Sequence, residues 1–385
     1  MMLKLFSYSG SVENILNQNK GKTVGFDFLR LFLALLIFYS HSGWILSNLT
    51  QFVAGTVNYG NYSDVSGIRS PFRTLSAMVV PMFFALSGFL VAASAERNRN
   101  VLVFLAHRGL RIFPALTVEI FLSAIVLGPI FTYLTLPEYF TSEMFFRYFG
   151  NIFGFVAFYL PGVFENNPVR GVVNINLWTL PSEFYCYLIL CGLMVSGILW
   201  KRTILTVLFA ICSLYLLIHN LALDKSILNG ENFHAYFVVY YFVVGVMFYV
   251  WRKHITINIY LFLGALVLGV TFLAVRQLAV FSPLFIVYVT VAIGLSKIPM
   301  PQFLRKNDYS YGVYLYGFPI CQALYATYPS LAQTPRTFAA LALALTLAFA
   351  AFSWHVFELK ALNLKRLLKP KDSQQPVETV FVKAA

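Results

Sequence analysis

Charged residues are scarce in this sequence of 385 residues. Asp, Glu, Lys and Arg make up 11% of it, and hydrophobic residues make up 59%. Soluble globular domains carry roughly 25% charged residues. A water-soluble fold of this size could not bury so much apolar surface, which excludes an ordinary soluble protein. The composition therefore predicts an integral membrane protein.

Cysteine is also rare, and the four cysteines fall within or beside apolar runs: Cys186, Cys191, Cys212 and Cys321. Their spacing matches neither a metal site nor a disulfide framework, so we expect no metal. A signal-peptide pattern is lacking, because the first apolar run follows a polar stretch of about twenty residues and is longer than a signal core. Internal repeats, which mark inverted-repeat transporters, are not evident.

Basic residues exceed acidic ones and give a net charge of +13. They lie between apolar runs and not on a hydrophilic domain, so we expect no nucleic-acid partner. In membrane proteins, short cytoplasmic loops carry the excess of Lys and Arg. The basic residues are therefore informative about topology.

Ten apolar segments approach the length of about 20 residues that a spanning helix needs. They cover roughly residues 24–47, 77–95, 111–134, 177–198, 203–219, 235–251, 258–275, 278–296, 309–329 and 337–357. With ten spans, every basic cluster falls on the inside, which predicts an all-α membrane protein with both termini cytoplasmic. A weaker run at 148–163 would invert the later spans if it crossed. We expect it to be re-entrant or to lie on the outer surface.

This topology divides the chain into three parts. They are a cytoplasmic N-terminal segment at 1–23, a transmembrane domain at 24–357 and a cytoplasmic C-terminal tail at 358–385. The two longest outer loops, at 48–76 and 135–176, contain no lysine. Long loops of this kind suit a surface that meets a substrate.

The first predicted span, VGFDFLRLFLALLIFYSHSGW, contains Asp27, Arg30 and His41. An Arg at the centre of a spanning helix costs about 2.5 to 3.5 kcal/mol, so ionisable residues there are candidates for function. Arg30 and His41 are eleven residues apart, about three turns and 20°, so they share a helix face with about 16 Å between them. They could line a path across much of the membrane. The alternative is a local Asp27–Arg30 ion pair, with His41 capping a hydrated helix end.

Arg108 and Arg111, in AHRGLRIFPAL, stand at i and i+3 where the third predicted span begins. Two guanidinium groups beside the positive end of a helix make a candidate phosphate site on the cytoplasmic face. Anchoring by the positive-inside rule also explains the pair. From these residues alone, anchoring is the favoured explanation.

Glu183, in NINLWTLPSEFYCYL, lies just inside the outer end of the fourth predicted span. An acid there is costly unless it is paired or hydrated. The topology puts it on the same side of the bilayer as His41, where the two could meet as a base and its orienting partner. The alternative is a carboxylate in the first turn of a helix, where the helix dipole favours it.

Two further segments give weaker signals. FFALSGFLVAAS contains Ser87 and Gly88, small residues that permit close helix packing. The segment NDYSYGVYLYGFPI contains four tyrosines, which are more simply explained as an aromatic belt at the membrane interface than as a site: Tyr309, Tyr311, Tyr314 and Tyr316.

Taken together, these segments resemble membrane-bound acyltransferase family 3, which includes bacterial O-acetyltransferases of lipopolysaccharide, Nod factors and other glycans. The resemblance runs from Phe26 to Phe357. It rests on five elements in the same order: Arg30 and His41 with ten residues between them, FFALSGFL, the pair Arg108 and Arg111, LWTLPSEFY, and YSYGVYLYGFPI. One departure is Gly317, where related sequences often carry His.

The resemblance implies a multi-pass acyltransferase of a bacterial inner membrane. Its donor would be acyl-CoA, usually acetyl-CoA, bound from the cytoplasm, and its acceptor would be a hydroxyl of a glycan or lipid-linked sugar. By position, His41 would be the general base and Arg30 an essential intramembrane cation. Arg108 and Arg111 would bind the donor. Glu183 would be the acidic residue of the family's segment that appears here as LWTLPSEFY. A His is suited to this proton transfer because its usual pKa is near neutral.

Two other functions remain open at this stage. A proton-coupled secondary transporter or glycolipid flippase could use the same ionisable residues as a relay. A non-catalytic membrane scaffold would not readily explain three ionisable groups in one helix. The sequence identifies neither the acceptor nor the oligomeric state.

Overall fold

The computed structural model describes residues 10–19, 21, 23–53, 71–222, 228–229, 232–233 and 235–365. Much of the first predicted outer loop and most of the C-terminal tail lie outside these residues. The helices are α1 (Val12–Gln18), α2 (Val24–Val53), α3 (Pro71–Arg97), α4 (Val101–Phe121), α5 (Leu136–Thr141), α6 (Glu143–Tyr148), α7 (Leu180–Val195), α8 (Arg202–Ala222), α9 (Ala235–Val250), α10 (Ile259–Ala274), α11 (Ser282–Leu295), α12 (Gln302–Lys306), α13 (Ser310–Thr327), α14 (Pro335–Ser353) and α15 (Leu359–Asn363). Strands of two residues form two antiparallel pairs, β1 (Gly10–Ser11) with β4 (Thr256–Ile257) and β2 (Leu228–Asn229) with β3 (Asn232–Phe233).

Within the described residues, seven helices are long and apolar enough to cross a membrane: Val24–Leu46, Thr74–Arg97, Val101–Phe131, Ile175–Val195, Arg202–His219, Leu278–Leu295 and Pro335–Asn363. Two further apolar helices are shorter, Tyr236–Val250 and Ile259–Ala274. The all-α membrane class is therefore confirmed. The count of about ten spans and the cytoplasmic position of both termini stay predictions.

The third predicted span begins earlier than its hydropathy suggested. Asn100 is the N-cap of α4, and its side chain accepts hydrogen bonds from the backbone N–H groups of Leu102 and Val103 at 3.0 and 3.1 Å. Such a cap satisfies backbone donors that a helix start leaves free. The cap places Arg108 and Arg111 two to three turns inside the helix, and not at its N-terminus.

The helices α3 and α9 approach each other so closely that their backbones touch. A Cβ atom added to Gly88 would collide with the backbone of Phe242, and one added to Gly245 would collide with the backbone carbonyl of Ala85. Small residues allow such contacts between membrane helices. The close packing expected for the FFALSGFL segment is therefore present.

The weak apolar run at 148–163 forms no spanning helix. It contains a short 3-10 helix, Phe149–Phe153, and then extended backbone. Its fold is held by Asn151, whose side chain donates to the carbonyls of Tyr148 and Ala157 at 2.7 and 2.9 Å and accepts from the N–H of Ala157 at 2.9 Å. The segment thus fits the expectation that it does not cross the bilayer as a full span.

Two spanning helices contain π-helical turns, in which the backbone hydrogen bond skips one extra residue. Leu122–Leu127 follows α4 and leads into a last turn at Gly128–Phe131, and Trp354–Glu358 joins α14 to α15. Such turns widen a helix locally and occur often at functional sites. Glu119 lies just before the first of these turns, and Glu358 is the last residue of the second.

Candidate active site

Asp308 joins two arginines that come from different helices. Its Oδ2 accepts a hydrogen bond from Nη2 of Arg111 at 2.6 Å and lies 3.7 Å from Nη1 of Arg30. Its Oδ1 accepts from the hydroxyl and backbone N–H of Ser310, at the start of α13. Burial alone would raise the pKa of Asp308, but the charges of Arg111 and Arg30 and the Ser310 hydrogen bonds hold it below its usual value. Asp308 therefore remains a carboxylate at neutral pH.

Arg30 also makes the local ion pair anticipated from its spacing. Its Nη1 donates to Oδ1 of Asp27 at 3.1 Å. The local pair and the longer-range contact to Asp308 thus coexist. Together they hold one end of the first spanning helix against the start of α13.

Arg111 is bound between two acids. Besides Asp308, it faces Glu358 across 3.8 Å from Nη1 to Oε2, and only 2% of the Glu358 side chain is exposed. Oε1 of Glu358 accepts from the hydroxyl of Ser353 at 3.1 Å. The charge of Arg111 is therefore compensated within the protein. We name the set Arg30, Arg108, Arg111, Asp308 and Glu358 the arginine cluster.

Arg108 differs from Arg111 in having no ion pair among the described residues. Its Nε is buried without a hydrogen-bond partner there, and its guanidinium lies 5.9 Å from the ring centre of Phe104. The neighbouring His107 likewise has a buried Nε2 without a partner. The backbone N–H groups beside Arg108 lie inside α4, where the helix itself uses them. An anion bound at Arg108 would therefore have to be held by side chains.

A further cation, Lys365, lies close enough to feel the charges of Arg108 and Arg111. Burial lowers the pKa of Lys365 to about 8, and the repulsion of these two guanidinium groups lowers it in the same direction. Its position just after α15 gave no signal in the sequence beyond a basic tail. The structure thus adds a third cation beside the Arg108 and Arg111 pair.

Glu183 lies with the arginine cluster and not with His41. The hydroxyl of Tyr187 donates to Oε1 of Glu183 at 2.5 Å, and Arg108 and Arg111 act on it electrostatically. The expected meeting with His41 is not seen: Asn176 and Trp178 of the preceding 3-10 helix, Ile175–Thr179, line the His41 cavity, and Glu183 does not. Glu183 lies in the first turn of α7, the alternative position given by the sequence, where the helix dipole favours a carboxylate.

His41 lines a small cavity of about 80 Å³ with Ser40, Ser76, Asn176, Trp178 and Tyr314 among its neighbours. Nδ1 of His41 and Oδ1 of Asn176 are both buried without a hydrogen-bond partner among the described residues. The edge of the His41 ring meets Phe318 at 90°, with 5.5 Å between ring centres. A ring nitrogen and an amide oxygen are thus available to a hydroxyl that enters this cavity.

Asn174, two residues before Asn176 of the His41 cavity, fixes the segment that carries Asn176. Asn174 donates from Nδ2 to Oε1 of Glu119 and to the carbonyl of Leu315, both at 3.0 Å. Asn176 donates to the carbonyl of Tyr314 at 2.5 Å. These buried hydrogen bonds hold the segment before α7 against α13, so the Asn176 side chain has a defined position in the cavity.

One face of α13 runs from the arginine cluster to the His41 cavity. The face begins with Asp308 just before the helix and continues at spacings of three, three and four with Tyr311, Tyr314 and Phe318. The ring of Tyr311 lies 5.8 Å from the Arg111 guanidinium, and the hydroxyl of Tyr314 lies 2.8 Å from that of Thr179. Tyr316 is buried, and Tyr311 and Tyr314 are half-buried with their hydroxyls bonded to neighbouring segments of the bundle, so these three side chains take part in packing. Their expected place in an interfacial belt stays a prediction. Spacings of three and four were the signal that could have revealed this face.

Gly317 lies on α13 beside the same region. A Cβ atom added to Gly317 would lie 3.0 Å from Cδ2 of Phe38. The ring of Phe38 therefore occupies the space into which a larger side chain would extend. A His at this position would require Phe38 to move.

Comparisons with known proteins agree with the pattern of residues. The family described as an acyltransferase domain matches residues 23–355. An O-acetyl transferase of Shigella phage Sf6 is 25% identical over 356 residues, which cover 88% of this chain and 96% of that protein. Nodulation protein 10 of Rhizobium leguminosarum bv. viciae is 28% identical over 382 residues, which cover 91% of this chain and 96% of that protein. No solved structure matches the chain.

Proposed function

Because the chain belongs to acyltransferase family 3, we propose that it transfers an acyl group, in the first instance acetyl, from acyl-CoA to a hydroxyl of a glycan or glycolipid. The family and the O-acetyl transferase relative support O-acyl transfer in a membrane-embedded protein. The donor and the acceptor are the parts that we propose. The observation that carries them is a pair of buried nitrogens, Nε of Arg108 and Nδ1 of His41, which lack hydrogen-bond partners among the described residues. They lie in the arginine cluster and in the His41 cavity, which one face of α13 connects.

Arg108 is the residue we assign to the donor. A guanidinium without an internal acid partner can form charge-assisted hydrogen bonds to a phosphate group. Coenzyme A carries phosphates and is found in the cytoplasm, which matches the basic character of this end. Lys365 and His107 flank Arg108 and would add to the attraction for an anion. Arg111 holds Asp308 and Glu358 in place and supports Arg108 from one turn away.

His41 is the residue we assign to the acceptor. A hydroxyl oxygen that attacks a thioester carbonyl must lose its proton, and Nδ1 of His41, which has no partner among the described residues, can receive it. The C–S bond of the thioester then breaks, and the proton on His41 passes to the departing CoA thiolate. Oδ1 of Asn176 can accept a second hydrogen bond and orient the sugar. Glu183 and Tyr187 lie on the donor side and would shape the route between the two ends.

The proposed topology has ten spans and cytoplasmic termini in a bacterial inner membrane. The spans would be α2, α3, α4, α7, α8, α9, α10, α11, α13 and α14. Under this topology the arginine cluster faces the cytoplasm and the His41 cavity faces the opposite leaflet. The acyl group would then cross along the aromatic face of α13. The donor would bind from the cytoplasm and the acceptor from the opposite side, so that only the acyl group would have to cross the membrane.

Purified protein in detergent, given radiolabelled acetyl-CoA and a panel of glycans, tests the proposal. We expect label on at least one glycan, and loss of that label in a His41→Ala variant. If no glycan is labelled, while protein in liposomes carries a glycolipid or a proton across, the transport function would replace the proposed one.

A further inference from the structure

Glu119 is a buried acid to which the proposed acyl transfer gives no role. It lies near the end of α4, and only 1% of it is exposed. Its Oε1 accepts hydrogen bonds from Oγ of Ser123 at 2.8 Å and from Nδ2 of Asn174 at 3.0 Å. Among the described residues no Lys or Arg pairs with it, in contrast to Asp308 and Glu358. An ionisable residue inside a membrane helix is costly, so Glu119 needs a function that an apolar residue could not perform.

Asn174, the partner of Glu119, is held by acceptors on two helices. Its Nδ2 donates to Oε1 of Glu119 on α4 and to the carbonyl of Leu315 on α13, both at 3.0 Å. The Leu315 carbonyl is available because the residue four positions later is Pro319, which has no N–H to donate. Asn174 itself is completely buried. Because both acceptors bind the same nitrogen, they fix the orientation of the Asn174 amide group.

The oxygen of the same amide group begins the 3-10 helix Ile175–Thr179. Oδ1 of Asn174 accepts from the backbone N–H of Asn176 at 3.1 Å, as an N-cap residue does. If the amide group turned over, its NH₂ group would meet this N–H and the cap would be lost. By holding Nδ2 of Asn174 on the other side, Glu119 acts on the backbone position of Asn176.

Asn176 is held in the His41 cavity by bonds that leave its side-chain oxygen unused. Nδ2 of Asn176 donates to the carbonyl of Tyr314 at 2.5 Å, and its backbone carbonyl accepts from the hydroxyls of Tyr314 and Thr179, each at 3.1 Å. Oδ1 of Asn176 and Nδ1 of His41 are both buried without a partner among the described residues, and both residues line the cavity. The position of this oxygen is thus set by bonds outside the cavity.

We propose that Glu119 is a positioning residue for the acceptor, because it fixes the amide group of Asn174 and thereby holds Asn176 in the His41 cavity. The proposal rests on the proposed function, in which Asn176 orients the sugar and His41 takes up the proton. Glu119 touches neither substrate in this role. It supplies a hydrogen-bond acceptor at a fixed point inside the bundle, and a carboxyl group has such an oxygen whether or not it carries a proton.

Two substitutions of Glu119 separate positioning from the other roles of a buried acid. Glu119→Gln keeps an acceptor oxygen and nearly the same size but cannot exchange a proton near neutral pH. Glu119→Met keeps the length of the side chain and removes both oxygens. Tyr241→Phe is the control, since it removes a buried hydroxyl that is bonded to Ser282 at 2.6 Å between α9 and α11. Neither Tyr241 nor Ser282 lines the His41 cavity or belongs to the arginine cluster.

We expect Glu119→Met to lower kcat/KM for the glycan that the wild type labels at least roughly tenfold, since misplacing a group beside the reacting atoms has effects of this size or larger. The KM for acetyl-CoA should change less than about twofold, because distant sites behave independently. Glu119→Gln and Tyr241→Phe should stay close to wild type. Equal losses for donor and acceptor would indicate general packing and overturn the proposal. Inactivity of the Gln variant would also overturn it, because Glu119 would then act by its charge or its proton.

A double variant shows whether Glu119 acts through Asn176. Glu119→Met combined with Asn176→Ala should lose no more acceptor kcat/KM than the more damaging single variant, because residues that act as a unit are not additive. If the two losses multiply, Glu119 acts by another route and the proposal is wrong. Thermal melting in detergent checks that each variant is folded. If Glu119→Met does not fold, Asn174→Ala breaks the same chain of bonds and should give the same pattern.

Hydrogen exchange tests the positioning without any transfer. The backbone N–H of Asn176 should exchange faster in Glu119→Met than in the wild type, because it loses its bond to Asn174, and Glu119→Gln and Tyr241→Phe should match the wild type. Unchanged exchange across Ile175–Thr179 in the Met variant would contradict the proposal. A wild type that labels no glycan would contradict the proposed function instead, and the exchange result would still decide whether Glu119 holds Asn176.

Discussion

Arg111 donates to Asp308 across 2.6 Å and joins α4 to the segment just before α13, although the two residues are 197 positions apart in the sequence. Because Glu358 lies on its other side, Arg111 is paired with two acids, while Arg108 one turn away makes no ion pair among the described residues and only senses the charge of Glu183. Two arginines that look equivalent in sequence therefore have different surroundings. They should respond differently to substitution.

Arg108→Ala should weaken use of the donor and leave the fold intact. A hydrogen bond to a charged group contributes about 1.5 to 3 kcal/mol, so the KM for acetyl-CoA should rise roughly ten- to a hundredfold. The KM for the acceptor should hardly change. Arg108→Lys keeps the charge but loses the planar fork, and should give an intermediate value. Equal changes in both KM values would leave Arg108 only an anchoring role.

Arg111→Ala should instead destabilise the protein. Removing one partner of a largely buried ion pair costs about 3 kcal/mol, because Asp308 and Glu358 would keep charges without compensation. The measurement is the unfolding midpoint in detergent, with Arg108→Ala as the control at the neighbouring turn. A double variant, Arg111→Met with Asp308→Asn, should recover part of the loss. If Arg111→Ala and Arg108→Ala melt alike, the distinction between them is wrong.

His41→Ala should abolish transfer without preventing membrane insertion. Removing a polar side chain from a spanning helix does not disfavour insertion. Loss of a general base lowers the rate about 10² to 10⁴ fold. His41→Gln is the finer test, since it preserves hydrogen bonding but cannot take up a proton near neutral pH. Substantial activity in the Gln variant would make His41 a hydrogen-bonding group and direct the search for the base elsewhere.

Donor affinity should fall as the pH rises through about 8. Burial, reinforced by Arg108 and Arg111, lowers the pKa of Lys365 to about 8, so Lys365 is charged below this pH and neutral above it. A phosphate stays charged throughout this range. The KM for acetyl-CoA should therefore increase above pH 8 in the wild type. Lys365→Arg should keep a low KM at high pH, and Lys365→Ala should have a high KM at both; a wild-type profile in either variant would exclude this role.

Both chain termini should be cytoplasmic, since the basic loops agree only with an even number of spans. A reporter that is active in one compartment only, fused after residue 385, measures the side of the C-terminus. A matched fusion within the 135–176 loop should report the opposite side. An exported C-terminal reporter would overturn the ten-span topology.

The parts of the site that could be predicted are those set by local spacing. Asp27 and Arg30 pair at i and i+3, as their positions suggest. Asp308 could not be anticipated as the second partner of Arg30, because 278 residues separate them and only tertiary packing brings them together. Glu358 was similarly hidden, since it follows a predicted span and resembles part of a polar tail.

Helix boundaries account for the remaining differences. Hydropathy placed the third span from residue 111, but the Asn100 cap begins the helix ten residues earlier. Likewise the 3-10 helix before α7 brings Asn176 and Trp178 to the His41 cavity, while Glu183 follows in the first turn of α7. A shift of one or two turns changes which neighbours a side chain meets, and hydropathy does not resolve such a shift.

The glycine contacts between α3 and α9 also restrict how the bundle can move. Backbones that touch at Gly88 and Gly245 cannot slide or part without losing the whole interface at once. We therefore expect these two helices to move together as one rigid body during turnover. We expect the helix movements that release products to occur at interfaces formed by side chains alone, such as the contact between Gly317 and Phe38.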